Sequence, residues 1–316
     1  MTTHPWSTNV IGGVGVPRVI LCSGYNLILN NSFEDNLNGW VANDCNIFRE
    51  AETTTPQGNY CLKVSDTNAL IYGSANCLIS SINNPLISGI CSGKKFILTF
   101  YAKEGDPDIQ AHNVTCVLRD SSHLNFVTKT FAVTKLGWVK ISIILECDYG
   151  NPATGIVVEL GAVENLFETG SVRYDFIELY EIDNDYYLEI PQQFHQNYNK
   201  VMNYEVETWD GEIRDSIKGY RYNAELAYEF VTAGQLQTFI EISEATFCLF
   251  LPHSDSSFSA RVSWDGDFDY KYFKNKYLGH EMNMKLKGRE IMTNKPKTIG
   301  SELLQLRASI TTYLFV

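Results

Sequence analysis

A chain of 316 residues has room for two domains. With 44% hydrophobic and 20% charged residues it has the composition of a folded protein, and its net charge of −12 opposes the phosphate contacts that nucleic-acid binding needs. No apolar run reaches the ~18 residues of a membrane helix, and the first residues lack the basic start and apolar centre of a secretory signal; no membrane insertion and no Sec export are expected.

In chain order, residues 1–24 have no clear period and read as an extended N-terminal arm that must lie on another surface. Residues 25–183 read as short strands between turn signals: NLILN (26–30), YCLKV (60–64), KFILTFYAK (95–103), NVTCVLRD (113–120), FVTKTFAV (126–133), WVKISIILEC (138–147), IVVELGAV (156–163) and RYDFIELYEI (173–182). Helical periodicity is nearly absent there, which predicts a β-sandwich. The Asn- and Gln-rich stretch 184–200 reads as a linker. From 201 to 297 strand patterns return. In GYRYNAELAYEF (219–230) every even position is apolar, the period of a half-buried strand. Thr232 with Gln235 fits a capping box, and Leu236, Phe239 and Ile240 follow at helical spacing, so one short helix is expected. FCLFLP reads as a buried strand. FSARVSWDGDFDYKY reads as a hairpin turning at Asp265-Gly266, and MNMKLKG as another alternating strand. The tail 298–316 ends in TTYLFV, an adhesive strand that needs a partner. The expected fold class is therefore mostly β: a sandwich plus a smaller antiparallel β domain carrying one short helix.

Signatures of catalysis are missing from the sequence. It contains no G-x-S-x-G, H-E-x-x-H or Walker loop, and IGGVGVP lacks the final Gly and the flanking strand and helix of a dinucleotide site. The six His are scattered. DGDFD (265–269) lacks the Gly and distal Glu of an EF-hand. Glu159, Glu164, Glu178 and Glu181 lie on or near strands, where solvent-facing acids are ordinary, so a paired-acid hydrolase is the weakest reading. The eight Cys form no C-x-x-C and mostly sit in apolar runs, as buried thiols do. The chain is expected not to be an enzyme.

The stretch NLILNNSFEDNLNGW resembles the start of the jelly-roll carbohydrate-binding modules found on xylanases and glucanases. QGNYCLKV, KKFILTFYAKEG, LGWVKISIIL and RYDFIELYEI follow in the same order as in that family. The resemblance implies a jelly roll over 25–183. It also implies one structural calcium ion held by Glu34 and Asp175, hard oxygen ligands from chain-distant segments. Glycan binding in such modules rests on aromatic faces, for which Tyr72, Tyr101 and Phe126 are the candidates; Trp40 and Trp138 are assigned to the core or its edge.

The run from WDGEIRDSIKGYRYNAELAYEF to MNMKLKGREI resembles small β domains of bacteriophage tail-associated structural proteins. Together with the arm and the adhesive tail, this implies a bacteriophage virion structural protein of the tail, baseplate or fibre-attachment region, assembled in the host cytoplasm. Its expected partners are other virion proteins, copies of itself and host-surface glycan. The alternative is a stand-alone calcium-dependent carbohydrate-binding protein.

Overall fold

The structure is a computed structural model that describes residues 16–66, 73–80, 91–105, 113–133, 137–162, 170–189, 191–207, 213–252, 259–268, 270–272 and 280–290. Tyr72, Glu164, the first fifteen residues and the tail 298–316 lie outside the described residues. In chain order the first strands are β1 (Arg18–Cys22), β2 (Trp40–Asn43), β3 (Asn46–Ala51), β4 (Tyr60–Asp66), β5 (Ser74–Ser80) and β6 (Lys95–Glu104). Then come β7 (Asn113–Asp120), β8 (Phe126–Ala132), β9 (Val139–Glu146), β10 (Gly155–Gly161), β11 (Gly170–Tyr187), β12 (Gln193–Glu207) and β13 (Ile213–Val231). The helix α1 (Ala233–Glu244) precedes β14 (Cys248–Leu251), β15 (Ala260–Trp264), β16 (Tyr270–Tyr272) and β17 (His280–Gly288). The fold is mostly β, and the chain divides into two compact units. One is Cys22–Asp183; the other joins Met1–Leu21 to Asn184–Val316.

The Cys22–Asp183 unit is a sandwich of two antiparallel sheets. One has the order β2-β5-β10-β7-β8. In the other, β3 pairs β4, β4 pairs β11, β11 pairs β6 and β6 pairs β9. Alternation puts Ala75, Cys77, Val114, Cys116, Leu118, Ile156, Val158 and Leu160 of the first sheet inside. They meet Leu62, Val64, Phe96, Leu98, Phe100, Ile141, Ile143 and Tyr174 of the second. Phe100 contacts Phe131 and Tyr174, each with ring centres 5.7 Å apart. The Tyr174 hydroxyl crosses the core to donate to the Gly161 carbonyl on β10 and stands 3.5 Å from Cys116 Sγ, so a polar contact ties the two sheets together.

One expected strand is not there. NLILN runs alongside β11 with a single backbone bond to it, Leu27 N to Leu179 O at 2.8 Å, and is not a strand of its ladder. The Asn26 side chain takes the place of further rungs: its Oδ1 accepts from the amides of Ile28 and Leu179, at 3.0 Å each, and its Nδ2 donates to Ile177 O. Asn offering its own side chain to nearby backbone is the competition that diverts a segment from regular structure. Leu27 and Ile28 are still buried, while Leu29 faces out.

In the second unit β13 lies between β12 and β17, and the sheet continues β17-β15-β14-β1. Tyr222, Ala224, Leu226 and Tyr228 are buried as their alternation predicts. Phe230 is 49% exposed because the register shifts between Tyr228 and Val231, which turns Val231 inward instead. The helix begins at a capping box, with Thr232 and Gln235 each bonding the other's backbone. Gln235, Thr238, Phe239 and Ile242 form its buried face.

Three expectations need correcting here. The arm is not wholly an arm: Arg18–Leu21 pair with Leu251–Cys248 as a strand of this unit, and Arg18 is buried in a salt bridge with Asp185. The 184–200 stretch is not a linker. Asn184–Tyr187 end β11 and β12 starts at Gln193, since polar side chains on alternate positions suit an outward-facing strand edge as well as a loop. Asp265-Gly266 does not close a two-residue hairpin, because β15 and β16 both pair β17 at different ends of it.

Candidate functional site

Glu34 and Asp175 are far apart in sequence and are brought to one short segment. Asp175 Oδ2 accepts from the Gln57 amide at 2.9 Å. Glu34 Oε1 accepts from the amides of Asn59 and Tyr60 at 2.9 and 3.0 Å. Between these donors lies Gly58, with a φ of +73°; a Cβ there would stand 2.2 Å from the Glu34 carboxyl carbon. Thr55 Oγ1 closes the loop on Gly58 O at 2.6 Å. Asp35, by contrast, is exposed.

The backbone beside each carboxylate is strained. Phe33 and Phe176 have φ of +59° and +49°, a region that side chains rarely adopt and that collects at sites whose surroundings force it. The pairing of β11 with β6 also shifts register between Asp175 and Glu178. Arg49 stacks on Tyr60 and donates to the carbonyls of Phe33 and Glu34, so those two oxygens are already engaged.

Asp175 is fully buried, and its Oδ1 has no hydrogen-bond partner. Burial pushes its carboxyl up to about 8; the amides of Gln57 and Phe176 work against this, and the charge of Glu34 adds to it. A buried oxygen without a donor, facing a second carboxylate, is the kind of hard ligand a calcium ion takes. The donor set therefore fits such an ion. Among the described residues no group of three or more His, Cys, Asp or Glu side chains could hold a metal, so the remaining ligands would be carbonyls or water.

The two outer faces of the sandwich differ. On the β2-β5-β10-β7-β8 sheet, register aligns Leu78, Val157, Arg119 and Phe126 in one row. The adjacent row is Val41, Asn76, Glu159, Val117 and Thr128. Phe126 is 65% exposed, Val41 66% and Leu78 48%. At the centre, Arg119 Nε donates to Glu159 Oε1 at 2.5 Å, and Arg119 Nη1 lies 2.8 Å from His123 Nε2. Thr115 and Thr130 share a hydrogen bond beside them. At a strand spacing of about 4.8 Å, the four-strand row is roughly 14 Å long and the five-strand row roughly 19 Å, enough for a short oligosaccharide.

The centre of the other sheet's outer face is buried, while Phe48 on its β3 edge is 50% exposed. Thr99, Tyr101, Lys140, Ser142, Glu178 and Tyr180 project from it and all are at least nine-tenths buried. Tyr101 packs near Phe176, with the Lys140 ammonium 5.4 Å from its ring centre. Tyr101 and Phe126 thus lie on opposite faces, and Phe126 alone of the two presents a ring to solvent. The resemblance named both as candidates; it held no signal for which outer face stays open. Leu78, Val41, Arg119 and Asn76 were not expected, because their two rows exist only once four or five strands are in register.

The acids considered for hydrolysis are separated as well. Glu159 belongs to the open sheet and pairs with Arg119. Glu178 belongs to the other sheet and accepts from Tyr180, while Glu181 is paired with Lys94.

Residues 25–161, less than half of the chain, match the family model of a carbohydrate binding domain. No curated protein matches the chain. Among solved structures it is similar to the xylan-binding domain of Paenibacillus barcinonensis Xyn10C, at 18% identity and a TM-score of 0.39, covering 52% of this chain and 98% of that domain. It is also similar to the enzymatically active domain of bacteriophage CBA120 tailspike protein 4, at 13% identity and a TM-score of 0.37, covering 50% and 21%. An arabinose-bound α-L-arabinofuranosidase aligns at 9% identity and a TM-score of 0.39, covering 54% of this chain and 27% of that enzyme. The Cys22–Asp183 unit resembles the jelly-roll carbohydrate-binding modules.

Proposed function

We propose that the Cys22–Asp183 unit is a non-catalytic glycan-binding module whose binding surface is the open face of the β2-β5-β10-β7-β8 sheet. The observation that carries this reading is the exposed Phe126 ring in register with Arg119, Val157 and Leu78. An aromatic ring and aliphatic groups cover the apolar face of a pyranose, and Arg119, Glu159 and Asn76 offer donors and acceptors to its hydroxyls. The match of residues 25–161 to a carbohydrate binding domain supports it. A calcium ion held by Glu34 and Asp175 would fix the loop Gln57–Tyr60, a structural task rather than a chemical one.

The whole chain is then read as a bacteriophage virion structural protein of the tail, baseplate or fibre-attachment region, in which the jelly roll meets host-surface glycan and the termini meet other virion proteins or copies of the chain. The support is the pattern of the second unit and the apolar tail. A stand-alone calcium-dependent carbohydrate-binding protein is the second reading, favoured by the Glu34–Asp175 geometry.

Titration of the full chain against bacterial surface and plant polysaccharides, with and without calcium, tests the module. Saturable binding is expected, weakened about tenfold or more by Phe126→Ala. Binding that survives Phe126→Ala unchanged would place the surface elsewhere, and no binding to any glycan would leave the jelly roll a scaffold.

A further inference from the structure

Two of the buried cysteines touch each other. Cys91 opens a tight turn: the Lys94 amide donates to Cys91 O at 3.0 Å, and the Cys147 amide donates to Lys94 O at 2.8 Å. These two bonds fold Cys91 back onto the end of β9, where its thiol and that of Cys147 hydrogen-bond. Cys91 is held from the other side too, through its amide to Ala153 O at 2.7 Å and its Sγ to Gly155 O at 3.6 Å. Gly93 donates to Asp148 O at 3.1 Å, so the loops carrying the two thiols are also joined by backbone.

Cys61 and Cys116 lie in other surroundings, against the Glu50 carbonyl and the Tyr174 hydroxyl. Both Cys91 and Cys147 are nearly fully buried, yet they lie at the rim of the core. The neighbouring residues Ser92 to Lys94 are half-buried, and Asp148 to Gly150 are exposed, with Tyr149 at 89%. Opening a surface turn, not the sandwich, would uncover them.

We propose that Cys91 and Cys147 form a reversible disulfide, a redox-set staple across the rim of the jelly roll. The oxidant is a low-molecular-weight disulfide of the glutathione class. The Cys91 thiolate attacks one of its sulfurs, the S–S bond breaks, and one small thiolate leaves. Cys147 then gives up its proton and attacks Cys91 Sγ, forming the Cys91–Cys147 bond and expelling the second small thiol. Two protein thiols are oxidised and one small disulfide is reduced to two thiols, so electrons and protons balance. Cys91 takes the attacking role because the thiol of Cys147 donates to it and stabilises its anion, which outweighs its burial; Cys147, donating that bond and buried, is held well above the usual thiol range. The closed loop, residues 92–146, is long, so the bond removes much freedom from the unfolded chain.

The test uses the full chain, incubated with oxidised glutathione under native conditions and then mapped by non-reducing peptide mass spectrometry. The expected result is a Cys91–Cys147 cross-linked peptide. It should come with a melting temperature raised by on the order of 5–10 °C and reversed by dithiothreitol. The half-buried Cys22 and Cys45 are expected to be at most capped. Glutathione retained on Cys91 of the wild-type chain, a disulfide between other cysteines, or no modification of Cys91 or Cys147 would each overturn the proposal. In Cys147→Ser, which removes the resolving thiol, Cys91 should accumulate as the glutathione mixed disulfide; an unmodified Cys91 in the folded variant would overturn its role as attacker.

Discussion

Gly58 shows how single positions hold the carboxylate site. Its φ of +73° and the 2.2 Å gap to Glu34 mean that Gly58→Ala must both strain the backbone and expel the carboxylate. A loss of about 2–3 kcal/mol in denaturant unfolding is expected, with loss of any calcium-dependent rise in melting temperature. Glu34→Gln should abolish that calcium response while leaving the fold intact; a response that persists would remove Glu34 from the ligand set. Asp120 does comparable work at the far side of the unit. Its two carboxylate oxygens accept from the amides of Ser122, Leu124 and Asn125, the Ser122 hydroxyl and the Asn151 side chain. Burial raises this carboxyl, but the bonds from Ser122, Asn125 and Asn151 outweigh it and hold it below its ordinary value. A depressed folded value means that the stabilisation is complete above the unfolded pKa of about 3.9 and is lost as pH falls through the folded one. Asp120→Asn turns one acceptor into a donor facing donors, and should cost about 2 kcal/mol at pH 7 and flatten the stability profile below pH ~4.

At the level of elements, what could be read from the chain depended on who satisfies the backbone. The strands β4, β6, β7, β8, β9 and β10 were legible because each carries alternation or a short apolar run between turn signals and pairs with a regular neighbour. NLILN carried an apolar signal as strong as theirs and still failed as a strand, since the Asn26 side chain takes up backbone groups that further ladder bonds would have used. β2, β3 and β5 were missed: WVAN and NIFREA are short and largely solvent-facing, and SANCLIS hides its period among small residues. The helix was legible through its cap, although its buried face rests on Gln235 and Thr238 as much as on Phe239. Gln235 is accommodated because its amide reaches Glu189 at 2.8 Å. Thr232→Ala removes the cap and should lower the stability of the second unit by about 1 kcal/mol. The family pattern pointed to Glu34 and Asp175, which the fold brings to one loop, whereas the open face was not legible, because it is a property of register and exposure rather than of any one strand. Tyr174→Phe tests the tie between sheets: losing the hydroxyl leaves the Gly161 carbonyl without that donor, at a cost of about 1–3 kcal/mol.

For the molecule as a whole, the decisive feature is that β1 belongs to the unit completed after residue 184. Removing residues 1–24 would therefore delete a strand and the Arg18–Asp185 salt bridge, and its effect on assembly could not be separated from unfolding. Arg18→Ala alone leaves Asp185 without its buried partner, and should destabilise that unit by about 3 kcal/mol while leaving the melting of a separately expressed 22–183 fragment as the reference. Assembly is better probed by truncations that stop before Val16. The same chain order has a consequence on the ribosome. Residues 22–183 emerge as a contiguous block and can fold as soon as they clear the exit tunnel. Arg18–Leu21, synthesised earlier, lack one of their two neighbouring strands until Cys248–Leu251 appear. At about 5–20 residues per second that wait is roughly 10–45 s. A segment made before that block completes its pairing only after it, and a synonymous slowdown late in the message would prolong the interval in which one edge of β1 stands unpaired.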